Sequence, residues 1–287
     1  MINFNQLDSE ILISSRRNPL TKKLRSLSTR EGRSEHQAIL LEGTHLLEES
    51  LRTNYLPKEI IATNNWLKVH QSLLNKLPEN IYIRKVTPEV LDFSLSTKNP
   101  DGVASVFPMN GLPKINKNPN FVLALDRLQD PGNMGSLFRT ALAAEVEVLW
   151  LALGADPLSQ KVLRSSAGAV LHMPYLRFGS SEDEALELFA EKLENAACSG
   201  YQVVATVLPD SYEGDSACPY WQLDWGKPTV LVLGNEGKGV HHLIKSICKE
   251  WVTLPHSDAV ESLNVASVAV PMLLERRRAK MTSDMKI

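Results

Sequence analysis

The residues best suited to chemistry lie in the last third of the chain, where two short apolar runs each end in a loop. The run Thr229–Leu233 breaks into Gly234-Asn235-Glu236-Gly237-Lys238-Gly239, and the run Trp251–Leu254 breaks at Pro255. Glycine tolerates positive φ and lets backbone approach a ligand, so a strand that ends in this glycine-rich loop (residues 234–239) is typical of a ligand cradle. In α/β proteins such loops face one crevice at the carboxyl ends of the strands. The sequence therefore predicts one ligand site formed by both loops.

Two polar residues follow the second loop. Ser262 and Asn264 bracket Leu263 immediately before the small-residue and apolar segment 265–274. Polar groups beside an apolar segment are costly unless they bind something. We expect both side chains to contact the ligand.

The glycine-rich loop does not match the familiar nucleotide motifs. A P-loop needs Gly-x-x-x-x-Gly-Lys followed by Ser or Thr, and Gly239 stands where the hydroxyl is required. A dinucleotide fingerprint needs a third glycine at the position of His242. On the glycines alone, a turn without a ligand stays an equal alternative.

Composition limits the protein class. The chain has 287 residues, 43% hydrophobic and 22% charged, with a net charge of −2, which is ordinary for a globular protein of two domains. No apolar run approaches the ~18 residues of a membrane span, and the polar, acidic start lacks a signal-peptide pattern, so we expect a cytoplasmic protein. Cys198, Cys218 and Cys248 are widely spaced, and neither a disulfide framework nor a metal site is predicted.

A basic segment lies near the start. Residues 16–33 carry seven Lys or Arg against Glu31 alone, a pattern that attracts a polyanion such as RNA. The alternative is a solvated amphipathic helix with Leu20, Leu24 and Leu27 on its inner face, and both can hold together. The residues predicted to bind RNA are Arg16, Arg17, Lys22, Lys23, Arg25 and Arg33.

Alternating strand and helix patterns predict two α/β domains. Residues 1–107 form the first, and residues 108–120, which are rich in proline and asparagine, form a linker. Residues 121–287 form the second, in which strands spaced by helices predict a mainly parallel sheet. A helix predicted from Ser136 to Ala144 carries Arg139.

Three motifs in the second domain together resemble the SpoU (TrmH-like) group of the SPOUT superfamily of S-adenosylmethionine-dependent RNA 2′-O-ribose methyltransferases. They are Asn133-Met134-Gly135-Ser136-Leu137-Phe138-Arg139-Thr140, then Leu233–Gly239, then Glu261-Ser262-Leu263-Asn264-Val265. The first domain resembles the family's ribosomal-protein-like substrate-binding extension through Leu41-Glu42-Gly43 and Pro100-Asp101-Gly102-Val103. The resemblance implies a C-terminal trefoil knot and a homodimer.

The resemblance also implies residue roles. Leu233, Gly234, Gly239, Leu254 and Leu263 would bind the cofactor, largely through backbone, and a side chain at Gly234 would occupy ligand space. The polar catalytic site would consist of Asn133, Arg139, Glu236, Ser262 and Asn264. Because free guanidinium loses its proton only above pH ~12, our hypothesis is that Arg139 binds a phosphate and stabilises alkoxide charge rather than acting as a base.

Two departures from the family pattern affect the cofactor site. Asp258 stands where glycine is common and would either crowd the cofactor or point outward. Pro271 should kink or interrupt the last helix. The favoured function is ribose methylation of ribosomal RNA. The alternatives are a transfer-RNA ribose methyltransferase, a base-modifying enzyme of the same superfamily, and a catalytically silent RNA-binding or ribosome-assembly factor.

Overall fold

The computed structural model describes residues 11–116, 118–209 and 217–284. The chain divides into two compact units. The first unit ends at Leu112 and also contains Asp156–His172, while the second contains Pro113–Ala155 and Met173 onward. The first crossing from one unit to the other falls inside the stretch predicted as a linker.

The first unit is built on a four-stranded mixed sheet in the order β1-β4-β2-β3. Only β2 and β3 pair in parallel, while β4 is antiparallel to both of its neighbours. Its elements in chain order are α1 (Pro19–Ser26), α2 (Arg30–His36), β1 (Ala38–Glu42), α3 (Thr44–Arg52), β2 (Glu59–Ala62), α4 (Asn64–Val69), α5 (Gln71–Leu74), β3 (Tyr82–Lys85), α6 (Pro88–Ser94) and β4 (Val103–Pro108).

The basic segment folds as two helices rather than one. Asn18 caps α1 by accepting from the N–H of Leu20 at 2.9 Å, and Thr29 caps α2 in the same way through Gly32 at 3.1 Å. The predicted inner stripe is confirmed, because Leu20, Leu24 and Leu27 are buried in one core with the sheet. The outer face of α1 is therefore left to its charged residues.

The segment Asp156–His172, which the sequence assigns to the second domain, packs within the first unit. It contains α8 (Gln160–Ser165) and a 3₁₀ turn, Ala169–Leu171. Gln160 donates to the backbone oxygen of Leu40 at 2.8 Å, and His172 lies 2.9 Å from the Glu49 carboxylate. Sequence patterns indicate only local structure, so they could not predict these polar contacts between distant parts of the chain.

The second unit contains a seven-stranded sheet in which all neighbouring strands are parallel, in the order β7-β6-β5-β10-β8-β11-β9. Its elements are β5 (Phe121–Asp126), α7 (Pro131–Ala143), β6 (Val148–Ala152), β7 (Tyr175–Phe178), α9 (Glu182–Cys198), β8 (Gln202–Thr206), β9 (Cys218–Pro219), β10 (Thr229–Leu233), α10 (His242–Ile247), β11 (Glu250–Thr253) and α11 (Val265–Asp284).

Strands β5, β6 and β10 are buried along their whole length. Their apolar runs are continuous rather than alternating, as expected for parallel strands covered on both faces. The larger parallel sheet and the smaller α/β unit together confirm the predicted fold class. Residues 229–233, predicted as a strand, form β10 and pair directly with residues 121–125 of β5.

Helix α7 begins five residues before the predicted start at Ser136. Asp130 caps it by accepting from the N–H of Asn133 at 2.7 Å, and Pro131 occupies the first helical turn. Proline is favoured there because the first turn has no use for its N–H. This early start places Asn133 in the first turn of α7.

Helix α11 continues through Pro271, so the predicted interruption is wrong, whereas the kink predicted as its alternative stays a prediction. A proline within a helix lacks one N–H donor and crowds the preceding turn, and α11 is continuous in spite of both; it packs against α7. The trefoil knot stays a prediction. Within the three described stretches, no helix is long and apolar enough to cross a membrane.

Candidate functional site

A cavity of about 510 Å³ opens at the carboxyl ends of the central strands of the second unit. This is the volume of a typical small-molecule site. The loops that follow β8, β10 and β11, together with the start of α11, supply its walls. The lining residues are Asn133, residues 206–209, residues 233–240, Lys245, Leu254, His256, residues 261–265 and Val268.

The glycine-rich loop is closed on itself at one wall of the cavity. Asn235 and Gly239 exchange backbone hydrogen bonds of 3.0 and 2.9 Å, and the Asn235 side-chain oxygen accepts from the N–H groups of Gly237 and Lys238. Gly239 has φ +66°, which glycine adopts at low cost.

The structure shows why a side chain at position 234 would clash with the protein itself. A Cβ built on Gly234 would lie 2.3 Å from backbone atoms of Gly239 and Val240. The fold of the loop over Gly234 by itself requires glycine there, and the predicted closeness of this position to the ligand stays a prediction. A Cβ on Gly239, by contrast, has no atom within 4 Å.

Glu236 joins the loop to the N-terminus of α7. Its carboxylate accepts from the backbone N–H of Asp130 at 3.0 Å, from that of Gln129 at 3.2 Å and from the Asn133 side-chain amide at 3.2 Å. Burial opposes ionisation of Glu236, but the bonds from Asp130, Gln129 and Asn133 outweigh it and hold the Glu236 pKa below its ordinary value. The group is therefore an ionised acceptor at neutral pH.

Asn133 in turn joins α7 to the start of α11. Its side-chain oxygen accepts from the Asn264 amide at 2.8 Å, and the Asn264 oxygen accepts from the N–H groups of Ala266 and Ser267 at 2.9 and 3.3 Å. Asn264 thus caps α11 while it donates to Asn133. A carboxylate only accepts, so Glu236 fixes which way both amides point.

This Glu236–Asn133–Asn264 chain connects the three sequence motifs at one cavity wall. One motif supplies each residue, and each hydrogen bond crosses from one motif to the next. Motifs separated by about a hundred residues therefore converge, as the sequence predicts for loops at strand ends.

Most predicted site residues lie together around the cavity. The polar residues Asn133, Glu236, Ser262 and Asn264 line it, as do Leu233, Gly234, Gly239, Leu254 and Leu263. Asp258 is exposed and does not line the cavity, so of the two expectations the outward position is the one observed.

Arg139 is the exception. It is exposed on α7 and is not among the residues that line the cavity. Within the described residues, its guanidinium makes no hydrogen bond or ion pair. The structure therefore leaves Arg139 as a solvent-facing cation rather than a member of the polar chain.

The lining residues that were not identified from the sequence include Thr206, Lys245, His256 and Val268. Thr206 ends β8, and its hydroxyl donates to the Val232 carbonyl at 3.1 Å. The His256 ring nitrogen lies 2.8 Å from the Leu254 oxygen. A sequence signal existed for His256, which directly follows the predicted break at Pro255. Thr206 and Lys245 had no such signal, because only the order of the strands in the sheet brings them to the cavity.

The predicted RNA-contact residues lie in different environments. Arg16, Arg17, Lys22 and Arg25 are exposed, whereas Lys23 pairs with Glu59 at 2.9 Å. Arg33 corrects the prediction, because it is 2% exposed, pairs with Asp156 and donates to the backbone oxygens of Leu27 and Ser28. A buried, paired guanidinium is a packing element of the first unit and is not available to RNA.

An aromatic ring accompanies the exposed arginines. The guanidinium carbons of Arg16 and Arg25 lie 5.5 and 4.7 Å from the centre of the Phe93 ring, and Phe93 is 39% exposed. Such cation–π contacts hold both arginines over one surface spot.

The cavity fits the S-adenosylmethionine that the family resemblance implies. Its volume is adequate, and its lining offers apolar side chains (Leu233, Leu254, Val268) beside backbone of the glycine-rich loop. The open space over Gly239 leaves that backbone accessible to a ligand. No cluster of His, Cys, Asp or Glu that could hold a metal occurs in the part of the chain that the structure describes.

Comparisons with known proteins agree with this geometry. The model of the SpoU rRNA Methylase family matches residues 120–274, and that of the MRM3-like substrate binding domain matches residues 18–105. An uncharacterized tRNA/rRNA methyltransferase of Synechocystis sp. is 37% identical over 95% of each chain. The 23S rRNA (guanosine(2553)-2′-O)-methyltransferase RlmP of Bacillus subtilis is 29% identical over 92% of this chain and 98% of its own.

Solved structures give the same answer. An rRNA methyltransferase from Sinorhizobium meliloti superposes with a TM-score of 0.76 at 26% identity, covering 93% of this chain and 97% of its own. Its AdoMet-bound form superposes with a TM-score of 0.75 at 27% identity and the same coverage. The predictions of family, enzyme class and cofactor are thereby confirmed. The chain belongs to the SpoU rRNA Methylase family, and it is an S-adenosylmethionine-dependent RNA methyltransferase.

Proposed function

We propose that this protein transfers a methyl group to a ribose 2′-hydroxyl of ribosomal RNA at the cavity of the second unit. The observation that carries the proposal is the Glu236–Asn133–Asn264 chain at the wall of the 510 Å³ cavity. It presents oriented amides and a carboxylate where a polar substrate enters. Its three members come from separate motifs, so their convergence is not a local coincidence of sequence.

In this proposal, the apolar and backbone walls of the cavity hold the cofactor. Leu233 at the end of β10, and Leu254 and Leu263 in the loop between β11 and α11, would contact it, and Gly234 and Gly239 keep the glycine-rich loop closed beside it. When bound, S-adenosylmethionine supplies an activated methyl group on a sulfonium, so the protein must chiefly orient the ribose oxygen and handle its proton.

Ser262 and Asn264 orient the ribose hydroxyl. Both are exposed at the cavity wall, and the direction of the Asn264 amide is fixed by its bonds to Asn133 and to the first turn of α11. A group locked in one orientation positions a hydroxyl without losing conformational freedom on binding. Each side chain would form a hydrogen bond with the 2′-hydroxyl and so fix its orientation, while the hydroxyl proton passes to solvent at the open side of the site.

Arg139 contacts the RNA rather than the cofactor. An exposed cation outside the cavity suits a phosphate beside the target nucleotide, and a guanidinium binds phosphate through two parallel bonds. We expect Arg139→Lys to lower methyl transfer by about tenfold or more, because lysine keeps the charge but loses the planar fork. Activity near that of the wild type, measured with radiolabelled methyl donor, would defeat the bidentate role.

The exposed face of α1 and the Phe93 ring provide RNA contact in the first unit. Arg16 and Arg17, which precede α1, and Lys22 and Arg25 on α1 face solvent. Basic side chains beside an aromatic ring suit both phosphates and unstacked bases. Ribosomal RNA is favoured over transfer RNA because the RlmP relative is named for 23S rRNA. The homodimer and the cytoplasmic location stay predictions.

The decisive experiment uses Asn264→Asp. Aspartate caps a helix as well as asparagine does, but it cannot donate to the Asn133 oxygen. We expect calorimetry to detect saturable S-adenosylmethionine binding by the wild type, and mass spectrometry of the treated ribosomal RNA to find methyl on ribose. Asn264→Asp should lose at least about tenfold of the transfer rate with little loss of stability.

Asp258→Ala is the matched control, because Asp258 is exposed and lies outside the cavity lining. It should retain wild-type transfer. Methyl found on a base would support the base-modifying alternative, and absence of cofactor binding by the wild type would support the silent factor. Either result rejects the proposed function.

A further inference from the structure

Two buried charged residues, Asp126 at the end of strand β5 and Arg127 directly after it, contact the glycine-rich loop and have no role in the proposed mechanism. The Asp126 side chain is fully buried, and the Arg127 side chain is 7% exposed. Arg127 donates to the Asp126 carboxylate through Nε at 2.8 Å and through Nη2 at 3.4 Å. Its other terminal nitrogen lies 2.8 Å from the exposed Glu182 carboxylate. Buried charges this well paired need an explanation, because an apolar pair is often as stable.

The backbone of Arg127 is also unusual. Its φ is +53°, a left-handed conformation that a bulky residue adopts only at a cost. In this conformation the Arg127 N–H donates to the Ala152 oxygen at 2.9 Å, while its carbonyl accepts from the Asn235 side chain at 2.9 Å. The strained residue therefore contacts the start of the glycine-rich loop through its backbone.

The Asp126 carboxylate reaches the other side of the same loop. Its second oxygen accepts from the backbone N–H of His241 at 2.6 Å. Asn235 and His241 bracket residues 236–240, all of which line the cavity. The two neighbouring residues Asp126 and Arg127 thus hold the loop at both ends, and the bond between their side chains orients the Asp126 carboxylate toward His241.

We infer that Asp126 and Arg127 are positioning residues that hold the glycine-rich loop in its cofactor-binding shape without touching the cofactor themselves. The inference rests on the proposed function, since it presumes that the cofactor binds in this cavity. Loss of the pair would remove the attachment of the loop at His241 and leave the Arg127 carbonyl without the side-chain contact that steadies its residue, so the loop backbone would sample other shapes. The apparent affinity for the ligand equals the intrinsic affinity multiplied by the fraction of time that the loop spends in its binding-competent shape.

The test variant is the double substitution Asp126→Leu with Arg127→Met. Replacing both partners avoids an unpaired buried charge, so stability should change little, while the His241 N–H loses its acceptor. S-adenosylhomocysteine is the calorimetric probe, and thermal unfolding without ligand measures stability. We expect about tenfold or more weaker binding with a near wild-type unfolding temperature, a combination that a purely structural role would not produce. Wild-type affinity in the folded double variant would overturn the inference.

The matched control is the ion pair of the buried Arg33 with the partly exposed Asp156 in the first unit, replaced by Met and Leu in the same way. It should leave probe affinity unchanged, and an equal loss of affinity there would also overturn the inference. If the test variant does not fold, Arg127→Lys decides, because it keeps the charge but loses the two-nitrogen contact. About threefold weaker binding supports positioning and unchanged binding rejects it.

The proposed function and the inference fail differently. A wild-type protein that does not bind S-adenosylhomocysteine overturns both. Wild-type binding with an unaffected pair variant overturns the positioning role alone, and the enzyme stands.

Discussion

Replacement of Glu236 by glutamine should weaken cofactor binding although it changes the side-chain shape very little. The carboxylate accepts three hydrogen bonds, two on one oxygen (from Asp130 and Asn133) and one on the other (from Gln129). A glutamine has one acceptor oxygen. If that oxygen keeps the first two donors, the new NH₂ group faces the Gln129 N–H, and both are donors.

The magnitude follows from these contacts. A hydrogen bond to a charged group contributes about 1.5–3 kcal/mol and a neutral one about 1 kcal/mol. In a site without water, losing one of these bonds and weakening the other two would cost about 3–5 kcal/mol of stabilisation. The Glu236 side chain is largely exposed, so water and screening reduce this to about 1–2 kcal/mol. Because the bonds hold the loop against α7, most of the loss should appear as weaker cofactor binding, about 5–30-fold.

Calorimetry with S-adenosylhomocysteine measures this change. Glu261→Gln is the matched control, because Glu261 lines the same cavity but makes no hydrogen bond through its side chain within the described residues. It should bind the probe within about twofold of the wild type. Wild-type affinity in Glu236→Gln, or an equal loss in both variants, would refute the reasoning.

Three further predictions concern the glycine-rich loop, the basic segment and the pH dependence of stability. Gly234→Ala should destabilise the second unit by about 1–3 kcal/mol, because its Cβ meets rigid backbone at 2.3 Å, whereas Gly239→Ala should cost only about 1 kcal/mol for its positive φ; urea unfolding of both variants compares them. Arg33→Met should lower stability yet leave the salt dependence of RNA binding unchanged, whereas Arg25→Met should reduce that slope by about one, as filter binding at several salt concentrations would show. Since the folded pKa of Glu236 is lowered, its stabilisation is fully present above its unfolded pKa near 4.5 and is lost as pH falls through the folded value; Glu236→Gln should therefore lose less stability than the wild type on acidification from about pH 6 to 3.

Much of the site was predictable because short sequence patterns identify its residues. A glycine-rich loop after a β-branched run, and polar residues before an apolar helix, indicate ligand contact wherever the chain takes them. The inner stripe of Leu20, Leu24 and Leu27 was predictable for the same reason, since helical periodicity is a property of a few neighbouring residues.

Arg33 and Arg139 mark where local patterns fail. Both are arginines near other polar residues, and nothing in the sequence separates one from the other. Arg33 is buried against Asp156, which is 123 residues away in the chain, and Arg139 is exposed outside the cavity. Burial of a charge depends on the partner that tertiary packing supplies, so the role of a basic residue cannot be read from its neighbours alone.

By itself, the sequence determined the α/β class, the motifs and the chemical types at the cavity, because strand and helix periods and turn residues act over short distances. Only the tertiary structure decided which donors meet which acceptors. The strand order brings the ends of β5, β10 and β11 together. The chain Glu236–Asn133–Asn264 and the bonds that join Asp126 and Arg127 to the glycine-rich loop exist only once it does. Hydrogen bonds need contact within about 3 Å, and only folding sets distances of that size between residues far apart in sequence.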